Sequence, residues 1–348
     1  MGGRKDRPGT SRRSHHQVPL LRGAALMPFV RWMQENGRPL EARLRAADLS
    51  SLPYHEPDRP IAVFSAVRFL LEVVRAEGPD IGCRVVTPRS IRQIGSLGRI
   101  TEGVRTPREA LARISAAMPR HCTHEHFLVA DESGMMIVRE FFALPMDDEI
   151  LNIEQQYVAA IIKSICASSG ARGPLLERIE LVPHPEYGLD HLRTWFEGEL
   201  VASQTRALVV SIRPDIADRP SPILARGRRS APPEDWQRMS VVGDFAYSAR
   251  IVIAGMFEEG SPSIERLARA AGLATRTLQR RLADEGTSFS ELLEEVRRTE
   301  ALRLLKNPDA PIGQIAAALG YRRQASISRA VRRWTGATPR NVRSSRSD

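Results

Sequence analysis

The 348-residue sequence predicts two domains of different class. An α+β N-terminal domain precedes an all-α C-terminal domain, built from two copies of one helix–turn–helix unit joined by a connecting helix. Three observations predict this. Residues before about 212 mix helical and alternating apolar periodicity. Five prolines, Pro214, Pro220, Pro222, Pro232 and Pro233, then crowd a short stretch. The last ninety residues repeat an apolar pattern at a fixed offset.

Residues 1–22 carry six basic residues and one acid. No clean signal-peptide core follows them, because Pro28 interrupts the short apolar stretch 23–30. They are expected to be a flexible basic tail. Residues 23–212 form the expected α+β domain. Ile61, Phe64, Val67, Leu71 and Val74 approximate one helical face. Thr106-Pro107-Arg108-Glu109 starts a helix, with a Thr cap, Pro at the first position and Glu three residues after the cap. Residues 127–130 and 135–143 read as strands around the turn Asp131-Glu132-Ser133-Gly134. Residues 150–166 read as helix, and 178–182 and 207–212 as further strands. Residues 213–236 are expected to be a linker, because proline removes amide donors and restricts its predecessor.

Residues 237–348 form the expected second domain. Ile264, Leu267, Ala268 and Ala271 recur as Ile312, Ile315, Ala316 and Leu319, each 48 positions later, and Gly272 recurs as Gly320. Glycine admits a turn conformation that costs other residues energy. A second short helix follows each glycine, with Leu278 and Leu282 as the apolar face in one copy and Ile327 and Val331 in the other. The pattern is helix, glycine turn, helix over about 263–283 and 311–334. The first helix supports the second, whose outer face is free to enter a major groove. Between the copies, Ser288-Phe289-Ser290-Glu291 caps a connecting helix, lined by Phe289, Leu292, Leu293 and Val296 and ended by Asn307-Pro308.

Charge agrees with this division. Residues 261–348 hold 17 Lys and Arg against 9 Asp and Glu, a net +8 of the chain's +10. The tail carries +5 and the remainder −3. A basic field favours polyanions. Three separated cysteines (Cys83, Cys122, Cys166) make neither a disulfide framework nor a zinc pair, and a reducing cytoplasm fits. No apolar run reaches the ~18 residues that span a bilayer. GxSxG, P-loop and HExxH motifs are absent, so a catalytic reading has no nucleophile–base constellation to stand on. Cys122, His124 and His126 would share a face if residues 121–126 were one strand. Their spread over ~13 Å suits no single ion, so no metal site and no cofactor are expected.

The stretch GLATRTLQRRLADEGTSFSELLEEVRRTEALRLL, followed by IGQIAAALGY and SRAVRRWTGATPR, resembles the AraC/XylS-type transcriptional regulators over about residues 245–340. The middle of the chain resembles the effector-binding and dimerisation half of the arabinose-binding-like branch of that family. The resemblance implies promoter binding, with Arg276, Gln279 and Arg280 of the first unit facing base edges. The matching positions in the second unit are Gln324, Ser326 and Arg329, with Arg332 and Arg333 further along. Arg can bind guanine and Gln adenine through paired hydrogen bonds. Ala274 stands where the family has a Ser cap, so Thr275 is expected to cap instead. Ile327 and Val331 replace two phenylalanines, and Ala325 a residue often polar. Arg297 and Arg298, beside four glutamates, are expected in helix-surface ion pairs.

The resemblance further implies a small-molecule effector, RNA polymerase as a partner and a possible homodimer, with activation and repression both open. Two rival readings are a constitutive DNA-binding protein whose N-domain only dimerises, and a catalytic α+β domain with a DNA-binding appendage.

Overall fold

The computed structural model describes residues 17–50, 52, 57–226, 236, 238–239, 245–307 and 309–344. The first sixteen residues of the expected tail, and Pro232 and Pro233 of the expected linker, lie outside them.

The α+β domain opens with strand β1 (Leu20–Arg22), a 3-10 turn (Gly23–Leu26), α1 (Met27–Glu35) and α2 (Leu40–Ala46). Strand β2 (Pro60–Ala62) pairs antiparallel with β1 and runs into α3 (Val63–Glu77). Three one-turn helices follow: α4 (Ile81–Arg84), α5 (Ser90–Gln93) and α6 (Gly95–Arg99). Then come α7 (Pro107–His121), β3 (Glu125–Glu132), β4 (Met135–Phe142) and the long α8 (Asp148–Ala167). Strands β5 (Arg178–Leu181), β6 (Glu199–Ala202) and β7 (Leu208–Ile212) complete a five-stranded sheet ordered β3-β4-β7-β5-β6. Its pairs are antiparallel except β5–β6.

Local chemistry explains the starts of these elements. Thr106 Oγ1 accepts from the Glu109 N–H at 3.2 Å, and Pro107 occupies the first turn of α7. The Glu109 carboxylate reaches back one residue further than a capping box requires and accepts from Arg105 N–H at 2.7 Å.

Two boundaries differ from the sequence expectation. Residues 17–22 are not the end of a loose tail: Val18 and Leu20 are buried, and β1 is paired. The first half of the expected linker is also packed. Pro214 and Pro222 open the short helices α9 (Pro214–Ala217) and α10 (Pro222–Ala225), where proline's fixed φ suits the first turn. Ile216, Ala217 and Leu224 join the α+β core.

The C-terminal region is all helix: α11 (Phe245–Met256), α12 (Ile264–Ala270), α13 (Thr275–Asp284), α14 (Phe289–Leu304), α15 (Ile312–Ala318), α16 (Gln324–Thr335) and α17 (Pro339–Ser344). Helix α11 had no counterpart among the expected elements. No described helix is long and apolar enough to cross a membrane.

The two regions share a core. Val18, Leu20 and Ala62 pack with Phe245, Ala249, Ile253, Leu267 and Leu278. Val18 N–H donates to Ser248 Oγ at 2.7 Å. Asp48, which also pairs with Arg68, accepts from Arg266 at 3.2 Å. Arg59 pairs with Glu258, and Ser50 N–H donates to Glu259 at 2.7 Å. Helix α3 carries both sides of this junction. Its Val63, Ala66, Val67 and Leu70 line a cavity of about 120 Å³ inside the α+β domain. Its Phe64 lies against Gly272 of the C-terminal region, where a Cβ would come within 2.3 Å of the ring.

Candidate nucleic-acid interface

Both glycine turns adopt the left-handed conformation that their repetition predicts, with φ +65° at Gly272 and +71° at Gly320. Helix α12 starts at Ser263, whose side chain accepts from the Arg266 N–H. Ser288 likewise accepts from Glu291 N–H and starts α14. The expected cap at Thr275 does not form. Ala274 is the cap residue, it offers no side-chain acceptor, and Thr275 is already inside the helix.

On α13, Leu278 and Leu282 are buried while Arg276, Gln279 and Arg280 are exposed. A helix turns 100° per residue, which puts Arg276 and Arg280 opposite Leu278 and Gln279 to one side. The α+β domain contacts α11 and α12, behind this face, and leaves these three side chains open to solvent.

On α16, Ile327, Ala330 and Val331 are buried. Ile327 and Val331 complete the second unit's core with Ala301, Leu305, Ile315 and Leu319. The sequence match of Gln324, Ser326 and Arg329 to the first unit needs a correction of register. Helix α13 begins at Thr275 and α16 at Gln324, an offset of 49. Ala325, Ser328 and Arg329 therefore occupy the places of Arg276, Gln279 and Arg280. The extra residue falls in the turn after Gly320. Gln324 is exposed in the first turn and Ser326 is half-buried. Arg329 and Arg332 project from the outer face. Arg333 is exposed but committed: it pairs with Glu294 of α14, which also accepts from Trp334 Nε1 at 3.1 Å.

The expectation for Arg297 is also corrected. It makes no ion pair among the described residues. Its Nε donates to Leu319 O at 3.3 Å, and its guanidinium lies 5.0 Å from the Tyr321 ring and 5.9 Å from that of Phe257. It ties the connecting helix to the second glycine turn. Arg298 is exposed.

The stretch 121–126 is not one strand. His121 ends α7 and β3 starts at Glu125, so Cys122, His124 and His126 do not share a face. His121 and His124 are buried, and His126 stacks on Phe141 at 4.8 Å. Sequence reasoning also missed three carboxylates from distant positions. Glu125, Glu140 and Glu154 bring oxygens within 4.8 Å of one another beside the cavity.

Two exposed basic helices, each set over a supporting helix by a glycine turn, define a DNA-binding helix–turn–helix protein. A helix-turn-helix domain family model matches residues 267–345. The HTH-type transcriptional regulator VirS of Mycobacterium tuberculosis is 26% identical over 333 residues, 93% of this chain and 96% of its own. The HTH-type transcriptional regulator VqsM of Pseudomonas aeruginosa is 38% identical over 84 residues, 24% of this chain and 26% of its own. Among solved structures, the transcriptional regulator CdpR from Pseudomonas aeruginosa covers 90% of this chain and 98% of its own at 20% identity, with a TM-score of 0.39. The chain is a DNA-binding helix–turn–helix transcriptional regulator, and its C-terminal domain is of the AraC type.

Proposed function

We propose that this regulator recognises promoter DNA through both units and that a small molecule in the α+β domain modulates the binding. In the first unit Arg276, Gln279 and Arg280 read bases. In the second, Gln324, Ser326, Arg329 and Arg332 meet the DNA, with Arg333 adding charge while it braces α16. Ala325 at the place of Arg276 removes one reading side chain, so the second unit contributes affinity more than discrimination. The single observation that carries the effector clause is α3, which lines the cavity on one face and touches the first unit at Gly272 on another. A ligand that favours one position of α3 over another shifts how the first unit is presented.

The constitutive rival, in which the N-domain only dimerises, leaves a largely apolar cavity with convergent polar groups unexplained. The catalytic rival finds little support. The relatives are regulators, and burial raises the pKa of the Cys83, Cys122 and Cys166 thiols, away from the reactive thiolate. RNA polymerase and a second copy of the chain are the further partners by family analogy, in a reducing cytoplasm.

Selection of bound duplexes from a fragmented genomic library, without and with metabolite pools, tests both clauses. No preferred sequence overturns sequence-specific recognition. A preferred sequence whose affinity no pool alters overturns the effector clause. A fragment spanning residues 237–348 is expected to bind DNA alone, with affinity falling steeply with salt as phosphate contacts release counterions. Because Val18, Leu20 and Ala62 complete the first unit's core, absence of binding at low salt refutes the assignment of the interface to this region only for a fragment whose helical circular dichroism shows it folded.

A further inference from the structure

The cavity in the α+β domain has two kinds of wall. Most of it is hydrocarbon, supplied by residues such as Phe29, Leu70, Ile114 and Ile161. One end is acidic. Glu125 and Glu154 line it, and Glu140 lies behind them, fully buried. Strand register causes this. Phe127 pairs with Glu140 and Phe142 with Glu125, which puts both glutamates on one face of the β3–β4 pair. Helix α8 then lays Glu154 over them.

Such an arrangement is costly without a ligand. Burial pushes all three carboxyl groups up in pKa, Glu125 to about 7, and the neighbouring carboxylates push Glu140 and Glu154 up further. No lysine or arginine pairs with any of them among the described residues. A separate observation points into the same space. His121 lines the cavity, is 5% exposed, and its Nδ1 has no hydrogen-bond partner. Burial lowers its pKa to about 4, so the ring is neutral and keeps a nitrogen lone pair for a donor.

We propose that this cavity binds a small organic amine, with its ammonium group between Glu125 and Glu154 beside His121 and its apolar body against the hydrocarbon walls. The proposal rests on the effector reading above and supplies the chemical class of that effector. A cation satisfies the carboxylates and donates to the ring nitrogen, and an apolar body fills the remaining space. A divalent metal ion would account for the three carboxylates alone. It could add the His121 and His124 rings of the same wall as donors, but it would leave the hydrocarbon volume unused. Apolar cavities of ~150 Å³ admit a benzene ring, so the volume here suits an amine on a body of about that size.

Calorimetric titration of the full chain with benzylamine, benzyl alcohol, benzoate, Mn²⁺ and Zn²⁺ tests this. Benzylamine is expected to bind at one site, at least tenfold more tightly than benzyl alcohol, with benzoate weaker still. Glu154→Gln and Glu125→Gln are each expected to weaken benzylamine at least tenfold and to leave benzyl alcohol unchanged. Both remove a buried, repelled carboxyl, so neither is expected to lower the melting temperature, and the melt confirms that each variant is folded. Equal affinity for the alcohol, preference for benzoate, stoichiometric metal binding without amine binding, or no amine binding overturns the proposal. Affinity for a selected duplex, read in the same samples, separates the two readings. Amine binding that leaves DNA affinity unchanged supports the cation site and overturns the effector role. A pool that alters DNA affinity while no amine binds does the reverse.

Discussion

The two helix–turn–helix units share a motif and a glycine, yet they are held in different ways. The first unit shares its core with the far N-terminus: Val18, Leu20 and Ala62 pack among Leu267, Leu278 and Ile253. The second unit builds its core from its own helices and the end of α14, with Ala301, Leu305, Ile315 and Val331. The first is therefore part of the α+β domain's structure, and the second is an appendage of the connecting helix. A signal from the cavity has a direct path to the first unit through α3. It reaches the second along α14 and through residues 257–261, whose Phe257 and Ser261 approach Gly320.

Substitution of the paired glycines gives the largest expected contrast. Gly272→Ala and Gly320→Ala both force a side chain into the left-handed region, which costs about 1–2 kcal/mol. At Gly320 the nearest side-chain atom to a new Cβ is 3.8 Å away, so little else is lost. At Gly272 the Cβ would lie 2.3 Å from the Phe64 ring, and overpacking adds about 1–3 kcal/mol. Chemical denaturation should show Gly272→Ala as the more damaging by that increment. A further Phe64→Leu change should recover part of it. Equal losses at the two glycines would mean that the two regions do not pack as described.

The reading faces give the next contrast. Arg280→Ala is expected to cost about 1–3 kcal/mol on the preferred duplex and much less on random DNA, as a lost base contact does. Arg332→Ala is expected to weaken both duplexes alike and to lower the salt dependence by about one phosphate contact. Uniform loss for both variants would remove the division of labour between the units.

Much of this was legible in the sequence because it is local. The repeat of apolar positions, the glycines and the caps at Thr106 and Ser288 each act within a few residues. The strands at 178–182 and 207–212 and the helix at 150–166 showed in their patterns for the same reason. What was not legible depends on distant partners. Val18 and Leu20 look like part of a basic tail until β1 pairs with β2. The short strand Glu199–Ala202 lies at the sheet edge and fully buries none of its side chains, so it shows no alternation. The carboxylate cluster joins positions 125, 140 and 154 through strand register and a helix crossing, which no spacing announces. The one-residue offset between the reading helices is visible in the apolar residues, 278 to 327, and in Arg280 and Arg329, but Gln324 and Ser326 do not follow it.

The smallest contrast concerns two acidic residues that each hold arginines. Asp48 joins the α+β domain to α12 through Arg266, and Glu294 holds Arg333 and Trp334 of α16 to the connecting helix. Both are partly exposed, so each pair is worth at most about 1 kcal/mol. Asp48 also has φ +58°, a conformation that asparagine tolerates, which makes Asp48→Asn a mild change. Asp48→Asn and Glu294→Gln each remove one negative charge from the chain, so a field set by net charge alone would strengthen DNA binding equally in both. The structure separates them. Arg266 lies behind the first reading helix, in the junction with the α+β domain, whereas Arg333 is on the second reading helix itself. Glu294→Gln is therefore expected to free Arg333 for phosphate and to steepen the salt dependence of binding by about one contact. Asp48→Asn should leave that slope unchanged and should instead weaken the influence of a cavity ligand on DNA affinity. Anisotropy titrations across a salt series measure both slopes. If the two variants steepen equally, the arginines act as a diffuse field and the brace on the first unit carries no information.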